Sequence, residues 1–305
     1  MERKPDYLVI GHVSKDLLPG GMGARAGGTA SYSSITAQRL GLQAAIVTAL
    51  APEDEGLLDE AREAGVWVCA IPSGGTTTFE NVYDSQGRRT QRIGSPAGTI
   101  EWSDVPTEWR GASIVHLGPV AQELPPDMPA RFAYSLLGIT PQGWMRSWDA
   151  EGRVGQAAWP IPKALVGLPA NACLVLSMED LGWDGEALAQ YSELARIVVI
   201  TQSAGEALVF VPATEVMDYV PKESLDARWR AKMGGKAEIG IPACEALPVD
   251  PTGAGDVFAT AFLIRYYETH DPIMAGRFAH AAAACAIEGE GTEGIPGRER
   301  LLGRV

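Results

Sequence analysis

Short apolar runs recur along the chain and alternate with stretches whose apolar residues repeat at helical spacing. Tyr7 to Gly11, Ala44 to Ala49, Ser113 to Leu117, Cys173 to Leu176 and Ile197 to Thr201 read as short buried strands. Thr29 to Leu40, Pro52 to Ala64, Gly185 to Ala195 and Val257 to Glu268 read as helices. Strands alternating with helices predict an α/β fold, a mostly parallel sheet with helices on both faces. Two segments, Leu17 to Gly28 and Ser73 to Gly98, break the rhythm. The second contains Thr76 to Tyr83, a polar turn Asp84-Ser-Gln-Gly87, and Arg88 to Ile93, which together make a hairpin pattern. On an α/β core such a flap is either decoration or a lid over a site.

The length of 305 residues fits one large α/β domain or two smaller units. Hydrophobic residues make up 46% of the chain, yet no stretch approaches the roughly 18 uninterrupted apolar residues of a membrane span. A soluble globular protein with no membrane partner is expected. The formal net charge of −13 leaves no basic footprint for nucleic acid. It does not forbid an anionic ligand, because amides at a helix N-terminus hold phosphate whatever the overall charge. Cys69, Cys173, Cys244 and Cys285 lie far apart with no metal-ligand spacing and read as free thiols. The start, MERKPDYLVIG, has no signal-peptide core, so a cytoplasmic location is expected.

The sharpest chemical signal is Asp250-Pro-Thr-Gly-Ala-Gly-Asp256, followed directly by an apolar helix. Gly253, Ala254 and Gly255 have small or absent side chains, so their amides can approach an anion closely while the helix dipole adds partial positive charge. Asp256 then sits in the first turn, either as a base for a hydroxyl attacking phosphorus or as an acid that satisfies the helix dipole. Several other patterns are rejected. Gly234-Gly-Lys236 lacks the following Ser or Thr of a phosphate-binding loop, with Ala237 in that place and Arg230 at the first glycine position. Gly11 opens no dinucleotide fingerprint, the four histidines lack metal spacing, and no Gly-x-Ser-x-Gly turn is present.

The Asp250–Asp256 stretch resembles the C-terminal signature of the ribokinase-like (PfkB) carbohydrate kinases. A second motif of that family, a di-glycine near the N-terminus, is matched by Gly27-Gly-Thr-Ala-Ser-Tyr-Ser-Ser-Ile-Thr-Ala-Gln-Arg-Leu-Gly41. At family level the resemblance extends over the whole chain. It implies one ribokinase-like α/β kinase domain over residues 1–305, with a β-lid built from about 17–28 and 73–98. The implied activity is ATP-dependent phosphorylation of a hydroxyl on a sugar or polyol, with Asp256 as general base and Mg²⁺ on the nucleotide. A nucleoside kinase, for which Phe79 and Tyr83 on the lid would stack a base, and a non-catalytic nucleotide or sugar sensor are the alternatives.

The same resemblance implies roles for further residues. Asp16, Gly27, Gly28 and Thr29 line the acceptor substrate, and Arg146 clamps an anion although Thr140 stands where relatives often have Asp. Glu179 or Asp180 orders magnesium-bound water, with Ser177 and Asp180 replacing the family's Asn and Glu; helix capping explains the pair equally well. Thr201, Ser203 and Gly205 face the nucleotide, although Ser203 and Glu206 stand at positions of family glycines. His280 stacks or hydrogen-bonds beside the adenine, or is a structural histidine. A monovalent cation near the loop after Asp250 and a homodimer paired through lids are further expectations.

Overall fold

The computed structural model describes residues 4–83, 89–215 and 235–304. The expected hairpin turn Asp84–Gly87, the side chain of Tyr83, and Arg230 and Gly234 lie outside the described residues. The strands in chain order are β1 (Tyr7–Ile10), β2 (Ser14–Leu17), β3 (Ala24–Gly27), β4 (Ala44–Leu50), β5 (Trp67–Pro72), β6 (Thr78–Tyr83), β7 (Arg89–Ile93) and β8 (Ile114–Leu117). They continue as β9 (Leu136–Ile139), β10 (Arg146–Trp148), β11 (Val154–Gln156), β12 (Ala172–Ser177), β13 (Ile197–Thr201), β14 (Ala207–Pro212) and β15 (Lys236–Ile241). The helices are α1 (Gly28–Arg39), α2 (Asp59–Glu63), α3 (Gln142–Met145), α4 (Gly185–Tyr191), α5 (Ala254–Thr269), α6 (Pro272–Ala286) and α7 (Arg298–Leu302).

The central sheet has the order β15-β14-β13-β12-β9-β8-β1-β4-β5. Every pairing from β13 to β5 is parallel, and β14 and β15 extend that edge antiparallel. Because both faces are covered, its inner strands are continuous apolar runs and not alternating ones. Tyr7, Val9, Ala44 and Ile46 face a core shared with α1, α5 and α6. Leu8, Ile10, Ala45 and Val47 face a second core on the opposite side. Gly138 on β9 sets the depth of one contact, since a side chain there would overlap Leu263 of α5.

Both rhythm-breaking segments enter one small sheet, in the order β3-β2-β6-β7. β2 pairs antiparallel with β3 and parallel with β6, and β6 with β7 forms the expected hairpin. The flap therefore begins at Ser14, three positions before the break visible in the pattern. Lys15 ties it to the core by an ion pair with Asp54 at 2.7 Å. A bridge between Arg92 and Arg153 joins it to the β10–β11 hairpin.

Pro52 to Ala64 is not one α-helix: Pro52–Leu58 is 3₁₀ and only Asp59–Glu63 is α. Gly56 inside the stretch lowers its α-helix propensity. The four cysteines are free thiols, Cys173 and Cys285 buried, Cys69 and Cys244 half-buried. Among the described residues no helix is long and apolar enough to cross a membrane.

Candidate active site

The carboxyl ends of β1, β8 and β9 lie side by side, with Ile10 opposite Leu117 and Leu117 opposite Ile139, and Ser177 ending β12 pairs with Thr201 ending β13. Loops leaving this edge are where open α/β sheets bind ligands. Gly253 begins the anion turn in a left-handed conformation, φ 76°, and a Cβ there would overlap the ring of Tyr32 on α1. Only glycine fits such a position without strain. The Ala254 amide bonds back to the Pro251 carbonyl at 3.2 Å, so it closes the turn and is not directed at an anion as expected. The amides of Gly253, Gly255 and Asp256 donate to no such carbonyl among the described residues, and open space surrounds the place of a Cβ on Gly255. The bare cradle is therefore Gly253, Gly255 and Asp256, at the N-terminus of a 16-residue helix.

Asp256 gathers the other expected residues around it. Burial pushes its pKa up to about 6; the nearby Thr29 hydroxyl and the positive charge of Arg146 pull the other way, while Asp180 and Asp16 add negative charge. Five side chains widely separated in sequence thus share one electrostatic neighbourhood. A carboxylate whose pKa lies near neutrality is matched to general-base work.

On the acceptor side, Asp16 accepts a hydrogen bond from Ser14 Oγ at 2.8 Å. Its carboxylate leans against Gly27, where a Cβ would overlap it. Gly28 has φ 82°, and a Cβ on it would come within 2.6 Å of the His12 carbonyl. The di-glycine is thus needed for close packing of β2 against the entry to α1. Arg146 donates through Nη1 to the Val120 carbonyl at 2.9 Å and lies 5.0 Å over the ring of Phe79. Phe79 is itself buried with Ile93, Val120 and Ala121. Its face is taken by the guanidinium and is not offered to a nucleoside base. Thr140 turns inward, its Oγ1 3.0 Å from Nε2 of His116. Burial drives the His116 pKa down to about 3, so the ring is neutral, and its Nδ1 is 2.7 Å from the Tyr7 hydroxyl.

Of the expected metal residues, Glu179 is exposed and Asp180 is buried. Asp180 accepts from the Ser177 amide at 2.8 Å and from the side-chain amides of Gln142 and Gln156, while its own amide donates to Ser177 Oγ. Among the described residues no group of three or more His, Cys, Asp or Glu side chains is arranged to hold a metal ion. A divalent ion caged by protein does not fit here. A divalent ion carried by phosphate oxygens and water would need no such group, only a nearby carboxylate such as Asp180.

Around the expected nucleotide loop, Thr201 ends β13, and Ser203 adopts the left-handed conformation, φ 53°, natural to the glycine it replaces. Gly205 is exposed, and its amide closes a turn on Gln202 at 2.8 Å. The carboxylate of Glu206 lies where a Cβ on Gly240 would be. His280 is buried, its Nε2 3.1 Å from the Ile241 carbonyl and its ring edge-on to Phe258 with centroids 5.0 Å apart. It straps α6 to β15, in keeping with the structural alternative.

Two features escaped the sequence reading. Glu123 is buried and accepts from the amides of His12, Val120 and Ala121, which shapes the loop after β8. No side-chain pattern marks it, because its partners are backbone amides, two in its own loop and one on another segment. Arg25 pairs with Asp250 at 2.8 Å and reaches Thr252 Oγ1 at 3.0 Å. Burial works against ionisation of Asp250, but the bonds from Thr252, Arg25 and Gly291 outweigh it and hold the pKa at about 2. The Asp250 carboxylate, which precedes the loop where a monovalent cation is expected, is thus paired with a guanidinium.

Residues 179–296, which include the anion turn, match the pfkB family carbohydrate kinase. A ribokinase of Bacillus subtilis (strain 168) is 34% identical over 108 residues, a segment that spans 35% of this chain and 35% of that protein. Among solved structures, a sulfate complex of a pyrophosphate-dependent kinase in the ribokinase family superposes with a TM-score of 0.75 at 22% identity, covering 98% of this chain and all of the other. A pyrophosphate-dependent kinase of that family with a pyrophosphate analogue and myo-inositol gives 0.73 at 22% identity and the same coverage. Arabidopsis thaliana ribokinase with ribose and ATP gives 0.69 at 20% identity, covering 99% of this chain and 98% of the other. The C-terminal part of the chain is thus similar in sequence to the pfkB carbohydrate kinases, and nearly its whole length shares the fold of ribokinase-family structures.

Proposed function

We propose that the protein transfers a phosphoryl group to a hydroxyl of a sugar or polyol, with Asp256 as general base. The observation that carries this reading is the coincidence of a carboxylate with pKa about 6 and the bare amides of Gly253, Gly255 and Asp256 on one helix turn. Asp16 accepts hydrogen bonds from acceptor hydroxyls beside Gly27 and Gly28. The Asp256 carboxylate takes the proton of the attacked hydroxyl as its oxygen bonds to the terminal phosphorus of the donor; the bond to the leaving phosphate breaks with its electron pair. Helix amides and Arg146 stabilise the charge that gathers on the transferred group. Mg²⁺ on the donor phosphates would supply charge neutralisation, with Asp180 holding it through water. The lid sheet excludes water, so that the alcohol and not solvent receives the phosphoryl group. A cytoplasmic location, a single domain and lid-paired dimers remain part of this reading.

ATP is the first donor to test and pyrophosphate the second. The second is favoured by Ser203 and by Glu206 against Gly240, which put side chains on the loop where the family resemblance calls for bare backbone. It also agrees with the pyrophosphate dependence named for two of the structural relatives. Purified protein should be given D-ribose, other sugars, myo-inositol and nucleosides with each donor, while ADP or phosphate release is followed. Acceptor-dependent release supports the kinase and identifies the donor. Ligand binding without release would instead favour a sensor.

A further inference from the structure

The lid and the anion turn are joined by a fork. Arg25 on β3 donates through Nη1 to Asp250 Oδ2 at 2.8 Å and through Nη2 to Thr252 Oγ1 at 3.0 Å. Asp250 is held on its other sides by the amides of Thr252 at 2.9 Å and Gly291 at 3.1 Å. In the β2–β3 register Arg25 stands directly opposite Asp16, and both carboxylates, Asp16 and Asp250, act on its charge. Four positions further along the same segment, the Thr29 side chain lies close enough to Asp256 to favour its ionised form. Residues 25–29 therefore run along the anion turn: Arg25 holds its start at Asp250 and Thr252, and Thr29 lies beside its end at Asp256. Tyr32, one turn into α1, lies beneath Gly253 in the middle.

We infer that Arg25 is a positioning residue that couples the two halves of the site, so that a polyol or sugar seated at Asp16 tightens donor binding at Gly253–Asp256. A shift of β2 that accompanies acceptor binding passes through the β2–β3 pairing to Arg25, whose planar fork fixes two residues of the turn at once. By linkage the donor tightens the acceptor by the same factor. Lysine at this position keeps the charge but cannot span Asp250 and Thr252 together. The inference rests on the kinase reading above.

The test is calorimetric titration of the wild type, R25M, R25K and T252V with the acceptor that the wild type phosphorylates, myo-inositol or D-ribose first. The donor probe is AMP-PNP, or imidodiphosphate if pyrophosphate is the donor. The dissociation constant of the donor probe is measured with and without acceptor. In the wild type, acceptor should tighten the probe by about 5- to 50-fold, within the usual range of coupling between sites. The factor should fall to near one in R25M and be intermediate in R25K and T252V. If R25M does not fold, R25K and T252V decide, because each leaves part of the fork in place. A factor of one in a wild type that turns over, or an undiminished factor in the variants, overturns the coupling and spares the kinase reading. A wild type that binds neither probe and phosphorylates no acceptor overturns both.

Discussion

The side chain of Thr29 lies beside the carboxylate of Asp256 and favours its ionised form, so the first turn of α1 faces the first turn of α5. Two helix N-termini, both preceded by glycines with left-handed or extended backbone, thereby open on one space. The positive ends of two helices flank a carboxylate that burial keeps from ionising at its ordinary pH. Proton acceptance and anion binding can then occupy adjacent places.

Asp256→Asn should lower turnover about 10²-fold or more, the range for loss of a general base, and leave donor binding largely intact. In the wild type, turnover should fall with the ionised fraction of Asp256 as pH drops below about 6. Stability has the opposite sign. The raised pKa favours the folded state when the group is protonated, and that contribution is lost as pH rises through about 6. The Asn variant should therefore melt above the wild type at pH 7.5, with the gap closing below the ordinary carboxylate range. A pH-independent gap in melting temperature would contradict this assignment.

Arg146 lowers the pKa of Asp256 by its charge. Arg146→Met should move the acid limb of the pH–rate profile to higher pH as well as weaken phosphate binding. A profile that only drops in height would mean that the guanidinium touches ligand without acting on the base.

Gly253 and Gly255 should respond differently to alanine. At Gly253 the methyl meets the Tyr32 ring at φ 76°, so Gly253→Ala should lose about 1–3 kcal/mol of stability, as overpacking does. At Gly255 the methyl meets nothing within 4 Å. Gly255→Ala should melt like the wild type yet bind the donor poorly, because the methyl enters the space reserved for phosphate. Equal melting temperatures for the two variants would argue against this packing.

The Asp250 carboxylate is matched by Arg25, Thr252 and Gly291. Replacing K⁺ with choline at constant ionic strength should leave turnover unchanged in the wild type. Strong activation by K⁺ over choline would show that the guanidinium does not take the cation's place.

Much of the scaffold was legible in the chain itself. The apolar runs at Tyr7, Ala44, Ile114, Cys173 and Ile197 mark strands buried on both faces, a pattern that needs no knowledge of their partners. The polar-flanked alternation between Thr76 and Ile93 marks the hairpin. Other parts were less visible: β14 and β15 join the sheet through a long intervening segment, and β2 is too short to show a period. The expected base, Asp256, carries a local signature because a glycine turn feeding a helix creates an anion cradle wherever it occurs.

By itself the sequence determined which segments could be strands or helices and where a bare turn meets a carboxylate, since these depend on side-chain size, polarity and spacing between near neighbours. Only the tertiary structure decided that Ala254 closes the turn, that Thr140 and His280 face inward, that Phe79 lies under Arg146, and that Arg25 answers Asp250. Apart from the three-residue turn at Ala254, those outcomes depend on desolvation and hydrogen-bond partners brought from segments tens to hundreds of residues away, and no local pattern encodes such a partner.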